Sequence, residues 1–299
     1  MCQFANFLSE QIFEKVSRNE LMTKLQLKYE IFRNLDAITL SRWSNGVTSP
    51  SLEKQLIIAK EQNLTDEFLT MYSKHKASAK LNKLVESFWY NMDSSFHSIM
   101  HHDDHKRIEF KQSYYSECSN KYPLYDKLKK AFNINTVEQA NDFFMQRFNF
   151  VSSQEPEKIL SHTSLYTDLI SAVRNLCVNS SVDRAIEEVS KSNDHVVMGL
   201  SMYASSEDHK ILLGLVGNHL LENYFEKKNL LIITRGTTSS NIFEMANSTQ
   251  VCCLKHSNQF DNLYLYKHSL TEFIGNPLVF KLISEQRTAY KSLIYKNRN

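Results

Sequence analysis

Leu35-Asp36-Ala37-Ile38-Thr39-Leu40-Ser41-Arg42-Trp43-Ser44-Asn45-Gly46-Val47-Thr48-Ser49-Pro50-Ser51-Leu52 is the stretch that dictates its own local structure most plainly. Asp36 is a good N-cap, because its side-chain oxygen can accept an otherwise unbonded amide of the first helical turn. Ile38 or Leu40, together with Trp43, supplies apolar residues at helical spacing, which leaves Ala37, Thr39, Ser41 and Arg42 on other faces. Asn45-Gly46 stops the helix, since Gly tolerates the left-handed backbone that ends helices. Ser49 or Ser51 caps a following helix with Pro50 near its first turn, and Leu52, Leu56, Ile57 and Ala59 make that helix apolar on one face. The pattern predicts a short helix, a glycine turn and a second capped helix.

On the N-terminal side, Phe4, Leu8, Ile12 and Val16 recur at helical spacing. Ser17 caps the next helix, with Glu20 three residues on completing a capping box. Beyond Gln62-Asn63, Thr65-Asp66-Glu67 opens a further helix through Tyr72. Five helices are therefore expected in residues 1–72.

Thr39-Leu40-Ser41-Arg42-Trp43-Ser44-Asn45-Gly46, followed by Thr48-Ser49-Pro50-Ser51-Leu52, resembles the recognition-helix segment of the Cro/phage-repressor (XRE) class of helix-turn-helix domains. The resemblance covers roughly residues 4–63. It implies a DNA-reading domain in which Ala37, Ile38, Thr39 and Arg42 face the major groove. Arg42 would be the main base reader, since a guanidinium can bond guanine O6 and N7 together. Ala37 or Ile38 would meet a thymine methyl unless Ile38 is core, and Asn45, Thr48 and Ser49 would contact phosphate. Leu40 and Trp43 are expected in the core. The family reaches its recognition helix through a tight turn, usually with Gly. Here Leu21 and Leu40 lie further apart, with Lys28-Tyr29-Glu30-Ile31-Phe32-Arg33 between them, so either the second helix is extended or the turn is a longer loop.

The chain has 299 residues, enough for two or three domains, and 42% hydrophobic content with 18 Phe and 14 Tyr, which supports sizeable cores. The net charge of +2 excludes a polycation, so nucleic-acid binding must rest on a local face. Residues 1–63 hold eight Lys or Arg against seven Asp or Glu, a weak charge signature for that role. The five cysteines form no C-x-x-C pair and are odd in number, the usage of a reducing cytosol. No secretory signal or membrane span is read, and a cytoplasmic location is expected.

Lys74 to Lys83 is polar and basic, a linker, a solvated helix face or a phosphate-contacting extension. Leu84, Val85, Phe88, Trp89, Met92 and Phe96 give residues 81–100 a helical apolar face. Residues 108–150, rich in Phe and Tyr, read as further helices, including 125–132 and 137–148. Ser152-Ser153-Gln154-Glu155-Pro156-Glu157 marks the next boundary by composition. Helices around 163–177 and 181–192 lead to a strand over 196–203, a helix over 207–227, a strand over 230–234, a helix over 239–247 and strands over 250–255 and 262–268. Strand, helix, strand, helix, strand, strand describes an α/β domain.

That order over residues 195–270 resembles the second half of an N-acetyltransferase (GNAT) domain. The family holds the pyrophosphate of acetyl-CoA on a Gln/Arg-x-x-Gly-x-Gly/Ala loop at a helix start. Here Ser205-Ser206-Glu207-Asp208-His209-Lys210 stands in its place, with no Gly and two carboxylates. Gly214 and Gly217 fall inside the helix, where they suit close packing. A degenerate copy without acetyl-CoA chemistry is expected.

Two further clusters stand out. His101-His102-Asp103-Asp104-His105 offers imidazoles at i, i+4, a zinc-chelating spacing, but without the H-E-x-x-H order and with no completing ligand nearby; a solvated turn is the reading, and no metal is expected. Arg235, Thr237, Thr238 and Ser239 follow a strand and precede a helix, where hydroxyls and amides could receive a ligand, although a simple helix cap explains them too. No Walker, dinucleotide or Ser-His-Asp arrangement is present, so neither enzyme activity nor a cofactor is expected.

The sequence thus predicts a multidomain chain: an all-α helix-turn-helix domain over residues 1–72, a helical linker or dimerisation region over 73–151, and an α/β sensing or interaction domain over 152–299. The function expected is a dimeric, sequence-specific transcriptional regulator of double-stranded DNA, with a small-molecule or protein effector at the C-terminal domain and no membrane partner. An acyltransferase-like enzyme with an attached DNA-binding domain, or a protein-interaction adaptor, is the alternative.

Overall fold

A computed structural model describes residues 3–72, 79–93, 106–117, 144–168, 193–235, 247–255 and 262–296, together with 184, 186–189, 191, 243 and 244. The architecture is mixed α/β. Two compact units are present, Met1–Lys76 with Gly275–Pro277 forming one and Ala77–Ile274 with Leu278–Asn299 the other.

The helical unit follows the caps read above. Helix α1 spans Gln3–Phe7 and continues as a wider turn over Leu8–Ile12. Helix α2 spans Arg18–Lys28, and Ser17 accepts the Glu20 amide at its start. Tyr29 is extended, and a tight turn over Glu30–Phe32 leads on toward α3. Helix α3 spans Ala37–Ser44, α4 Leu52–Glu61 and α5 Thr65–Tyr72. Of the two routes left open between α2 and α3, the connection is the longer loop, with its tight turn closed by Phe32 under the core.

Phe4, Leu8, Ile12, Leu21, Leu25, Phe32, Leu40, Leu56, Ile58 and Phe68 are each at most 1% exposed, which makes one continuous apolar centre. Each such large side chain contributes roughly 1.5–3 kcal/mol relative to exposure. Glu61 at the end of α4 accepts Lys24 at 2.9 Å, Lys28 at 3.0 Å and the Tyr29 hydroxyl at 2.8 Å, tying α4 to α2. Burial pushes the Glu61 carboxyl upward, but those three hydrogen bonds outweigh it and hold it below the usual carboxylate range.

The second unit begins with α6, Ala79–Met92. Its centre is a seven-stranded sheet in the order β1-β2-β3-β4-β5-β7-β6. The strands are β1 Lys106–Tyr114, β2 Phe144–Ser152, β3 Ile159–Tyr166, β4 His195–Met202, β5 Asn229–Arg235, β6 Thr249–Lys255 and β7 Leu263–Ser269. All neighbours are antiparallel except β4 and β5, which α7, Ser206–Asn223, joins as a parallel pair. Pairing between those two runs from His195↔Asn229 to Met198↔Ile232, although β4 continues to Met202 and β5 to Arg235. Helix α8 spans Leu270–Ile274 and α9 Pro277–Lys296.

Helices α7 and α9 cross closely. A Cβ at Gly214 would lie 2.5 Å from the Leu282 carbonyl oxygen, and one at Gly217 would lie 2.5 Å from Ile283 Cγ1. Asn218 gives its amide to both the Gly214 and the Ile283 carbonyls at 2.8 Å. The two glycines therefore serve packing. Beneath α7, Phe110 and Phe148 meet the ring of His219, whose nitrogens face Tyr290 at 3.1 Å and Gln146 at 3.0 Å.

Several expectations are corrected. Residues 106–114 and 144–152 are not helices of a separate middle section but strands β1 and β2 of the sheet. Ile159–Tyr166, in part read as helix, is the fully buried strand β3. The break expected at Ser152 is the end of β2, and the following turn leads straight into its partner, so it separates two strands and not two domains. The helix expected over 81–100 is observed as α6, ending at Met92. The helix expected over 125–132 lies outside the described residues.

Candidate nucleic-acid interface

Helix α3 has two chemically distinct faces. Leu40 and Trp43 point into the helical unit at 1% and 6% exposure, while Ile38 stands 70% exposed. Ala37 and Arg42 are exposed beside it, and Thr39 is half-buried. The choice left open for Ile38 thus resolves outward. Ile38 belongs to the outward face of α3 and not to the core.

The start of the helix is fixed by Asp36, whose Oδ1 accepts the Thr39 amide at 2.6 Å. Hydrogen bonds from the Thr39 amide and hydroxyl, with a smaller pull from Arg42, hold the Asp36 carboxyl below the usual carboxylate range. Arg42 is exposed and enters no ion pair among the described residues, so its fork of donors faces water.

The loop after α3 is held by its own backbone. Gly46 adopts φ 71°, the left-handed conformation that only Gly reaches without cost. The Val47 and Thr48 amides then return to the Arg42 carbonyl at 2.9 Å and 3.3 Å. The buried Gln55 of α4 gives its amide to Ser49 Oγ at 3.2 Å and to the Pro50 carbonyl at 2.8 Å. Ser51 caps α4 by accepting the Lys54 amide, which decides between the two serines proposed for that role. Asn45, Thr48 and Ser49 are all exposed on this braced loop. The structure therefore brings the residues expected to touch DNA onto one helix and the loop that follows it.

The start of α7 differs. Ser205 caps it by accepting the Asp208 amide, and a second acceptor comes from far away in sequence. The Asp93 carboxylate, just beyond α6, accepts the Ser206 amide at 2.7 Å and the Ser206 hydroxyl. Burial pushes the Asp93 carboxyl upward, but those hydrogen bonds outweigh it and keep it below its ordinary range. Around it, Trp89 donates its indole N–H to His209 Nδ1 at 3.1 Å, and Lys210 lies 4.6 Å from the Trp89 ring centre. Burial lowers the His209 imidazole to about 4, consistent with a neutral ring that accepts from Trp89. Behind this, the fully buried Asp208 is paired with Lys106 and accepts the Ser161 hydroxyl at 2.5 Å. Donors at this helix start are thus already answered within the chain, the Ser206 amide and hydroxyl by the Asp93 carboxylate and the Asp208 amide by the Ser205 hydroxyl.

Of the other residues singled out, Arg235 is exposed at the end of β5, while Thr237, Thr238 and Ser239 lie outside the described residues, as does the cluster from His101 to His105. Among the described residues no three His, Cys, Asp or Glu side chains gather as metal ligands, and no helix is long and apolar enough to cross a membrane. Asp93, Lys106 and Ser161 were missed by sequence reasoning. Their partners lie 113, 102 and 47 residues away, and no local pattern signals such pairs. No family model, no curated protein and no solved structure matches the chain.

Proposed function

We propose that the chain is a sequence-specific DNA-binding transcriptional regulator of the Cro/phage-repressor type that acts as a homodimer. The carrying observation is the outward face of α3, where Ala37, Ile38 and Arg42 stand exposed above a buried Leu40–Trp43 pair. The braced loop carrying Asn45, Thr48 and Ser49 supports the same reading, since phosphate contacts set the register of a reading helix. In this reading Arg42 bonds guanine in the major groove and Ile38 lies against a thymine methyl.

The second unit is read as a degenerate acetyltransferase-like domain that serves regulation. The succession of β4, α7, β5, β6 and β7, with its one parallel pair, supports the fold. The carboxylates of Asp93 and Asp208 at the start of α7 weigh against acetyl-CoA chemistry, because a pyrophosphate would meet negative charge there.

Selection of bound sequences from a random duplex pool, run for the intact chain and for Arg42→Ala, tests the proposal. A palindromic site in which the variant loses preference at one base pair is the expected result. Absence of any enrichment by the intact chain, together with saturable acetyl-CoA binding, would replace it with the acyltransferase reading. Unchanged affinity and specificity in Arg42→Ala would favour an adaptor.

A further inference from the structure

The two edges of the seven-stranded sheet are built differently. At one end, β6 meets β7 with register shifts between Gln250 and Cys252 and between Cys253 and Lys255. Irregularities of that kind blunt an edge, because they break the row of backbone groups that another strand would need. At the other end, β1 pairs with β2 through nine consecutive residues, from Lys106↔Ser152 to Tyr114↔Phe144, without a shift. Among the described residues no strand lies on the outer side of β1. A regular edge of that length presents a row of N–H and C=O groups that templates pairing with a further strand.

The charges on β1 decide which strand fits. Lys111 stands directly opposite Arg147 of β2, so two cations neighbour each other across that pair. Glu109, two residues back on the same face, lies 3.9 Å from the Lys111 ammonium but is held more closely by Arg107 at 2.8 Å. The Lys111 side chain remains 48% exposed. A carboxylate opposite Lys111 on the outer side of β1 would offset the crowding of positive charge, since opposite charges across a strand pair stabilise and like charges do the reverse.

We propose that β1 pairs antiparallel with β1 of a second copy of this chain, making one sheet continuous across a two-fold dimer. A two-fold axis perpendicular to the sheet keeps the same face of both copies on one side, so Phe110, whose ring meets His219 of α7, can lie opposite its own copy. With Phe110 on the axis all nine residues overlap. Glu109 then stands opposite Lys111 of the second copy, and Lys111 opposite its Glu109. Tyr114, 50% exposed, comes opposite Lys106 of the second copy, a cation already held in place by Asp208. Slipping the register by one step that keeps the faces removes this match. One direction sets Glu109 against Glu109 and Arg107 against Lys111, and the other sets Lys111 against Lys111. This interface specifies the homodimer proposed above, and it needs nothing from α3, so it stands or falls without the DNA-binding reading.

Sedimentation equilibrium of the intact chain, without DNA, tests the assignment, and a concentration-dependent dimer is expected. Glu109→Lys and Lys111→Glu each set like charges opposite one another on both sides of the axis. Each alone should weaken the dimer roughly tenfold or more. An equimolar mixture of the two variants should recover it, because in a mixed pair both lysines of one chain meet both glutamates of the other. Far-ultraviolet circular dichroism of each variant should match that of the intact chain, since neither side chain belongs to the core. An intact chain that stays monomeric would overturn the proposal. So would a dimer that neither variant weakens, which would be formed by another surface, or folded variants that fail to associate when mixed.

Discussion

The two units place polar chemistry in opposite locations. Apart from the largely buried Glu61, the buried polar residues among the described residues of the helical unit are uncharged, Ser44, Gln55 and Thr65, and it carries Arg42 and Ile38 outward. The sheet unit buries Arg147, Asp208, His162 and His219 to 3% exposure or less. One unit is built as a surface on an inert core. The other holds its chemistry inside, where each polar group must be answered by another group or cost stability. The difference teaches that replacing a polar side chain costs the first unit little where it is exposed and the second much where it is buried, and that acid distinguishes them.

Acid should give the largest effect. His162 and His219 are held neutral by burial, near 3 and 4, below the unfolded value of about 6.5. The unfolded chain binds protons first as pH falls, so their contribution is complete above about pH 6.5 and is lost from there downward to the folded values. Each removes about 1.4 kcal/mol per pH unit over that range. The helical unit has no histidine through Tyr72; its lowered carboxyls, Asp36 and Glu61, contribute above about pH 4 and lose that contribution only below it. Trp43 and Trp89 are the two tryptophans, one in each unit, so fluorescence-detected denaturation of Trp89→Phe and Trp43→Phe chains reads the transitions separately. Equal acid sensitivity in both would break the comparison.

Next in size is Asp208→Ala. It removes the partner of the part-exposed Lys106 ammonium and the acceptor of the buried Ser161 hydroxyl, and should lower the stability of the sheet unit by about 1.5–3 kcal/mol in urea. The Trp43 transition should not move.

Arg42→Ala should leave thermal stability within about 0.5 kcal/mol, as expected of an exposed side chain, yet weaken a selected duplex by about 1–3 kcal/mol. Calorimetric melting and a fluorescence anisotropy titration check the two halves, and a large loss of stability would contradict the exposed placement. The smallest effect is expected for Asp93→Ala. Because the carboxylate is open to water on its outer side, its loss should lower the sheet-unit midpoint by only about 0.5–1 kcal/mol in the same urea experiment.

Legibility in sequence followed the same division. Ser17, Asp36, Gly46 and Ser51 act locally, and their neighbours alone announced every helix of the first unit. Strands β4, β5 and β7 were readable because Val196-Val197, Leu230-Leu231-Ile232-Ile233 and Leu263-Tyr264-Leu265 are β-favouring runs. β1 and β2 were misread because Phe110, Phe148 and Phe150 suit helix or strand until their pairing is known. β3 was hidden for a different reason. Both its faces are buried and both carry polar residues, so Ser161-His162-Thr163-Ser164 shows neither alternation nor an apolar run. The exposed and buried faces of α3 were legible residue by residue, whereas the carboxylates at the start of α7 were only half visible. Asp208 stood in the expected loop, and Asp93 belonged to a helix read as a linker.

The contact between Asp93 and Ser206 has a consequence in time. It spans 113 residues, and the Trp89–His209 contact spans 120. Closing loops of that length costs chain entropy that local helix formation does not, and topologies dominated by such closures fold slowly. Helices α1 to α5 all lie within the first 72 residues and can form while the rest of the chain is still being synthesised. Helix α6 must wait for α7. A newly made chain therefore passes through an interval in which α1 to α5 are in place while α6 has no fixed anchor, and the order of synthesis separates the first helices from the sheet.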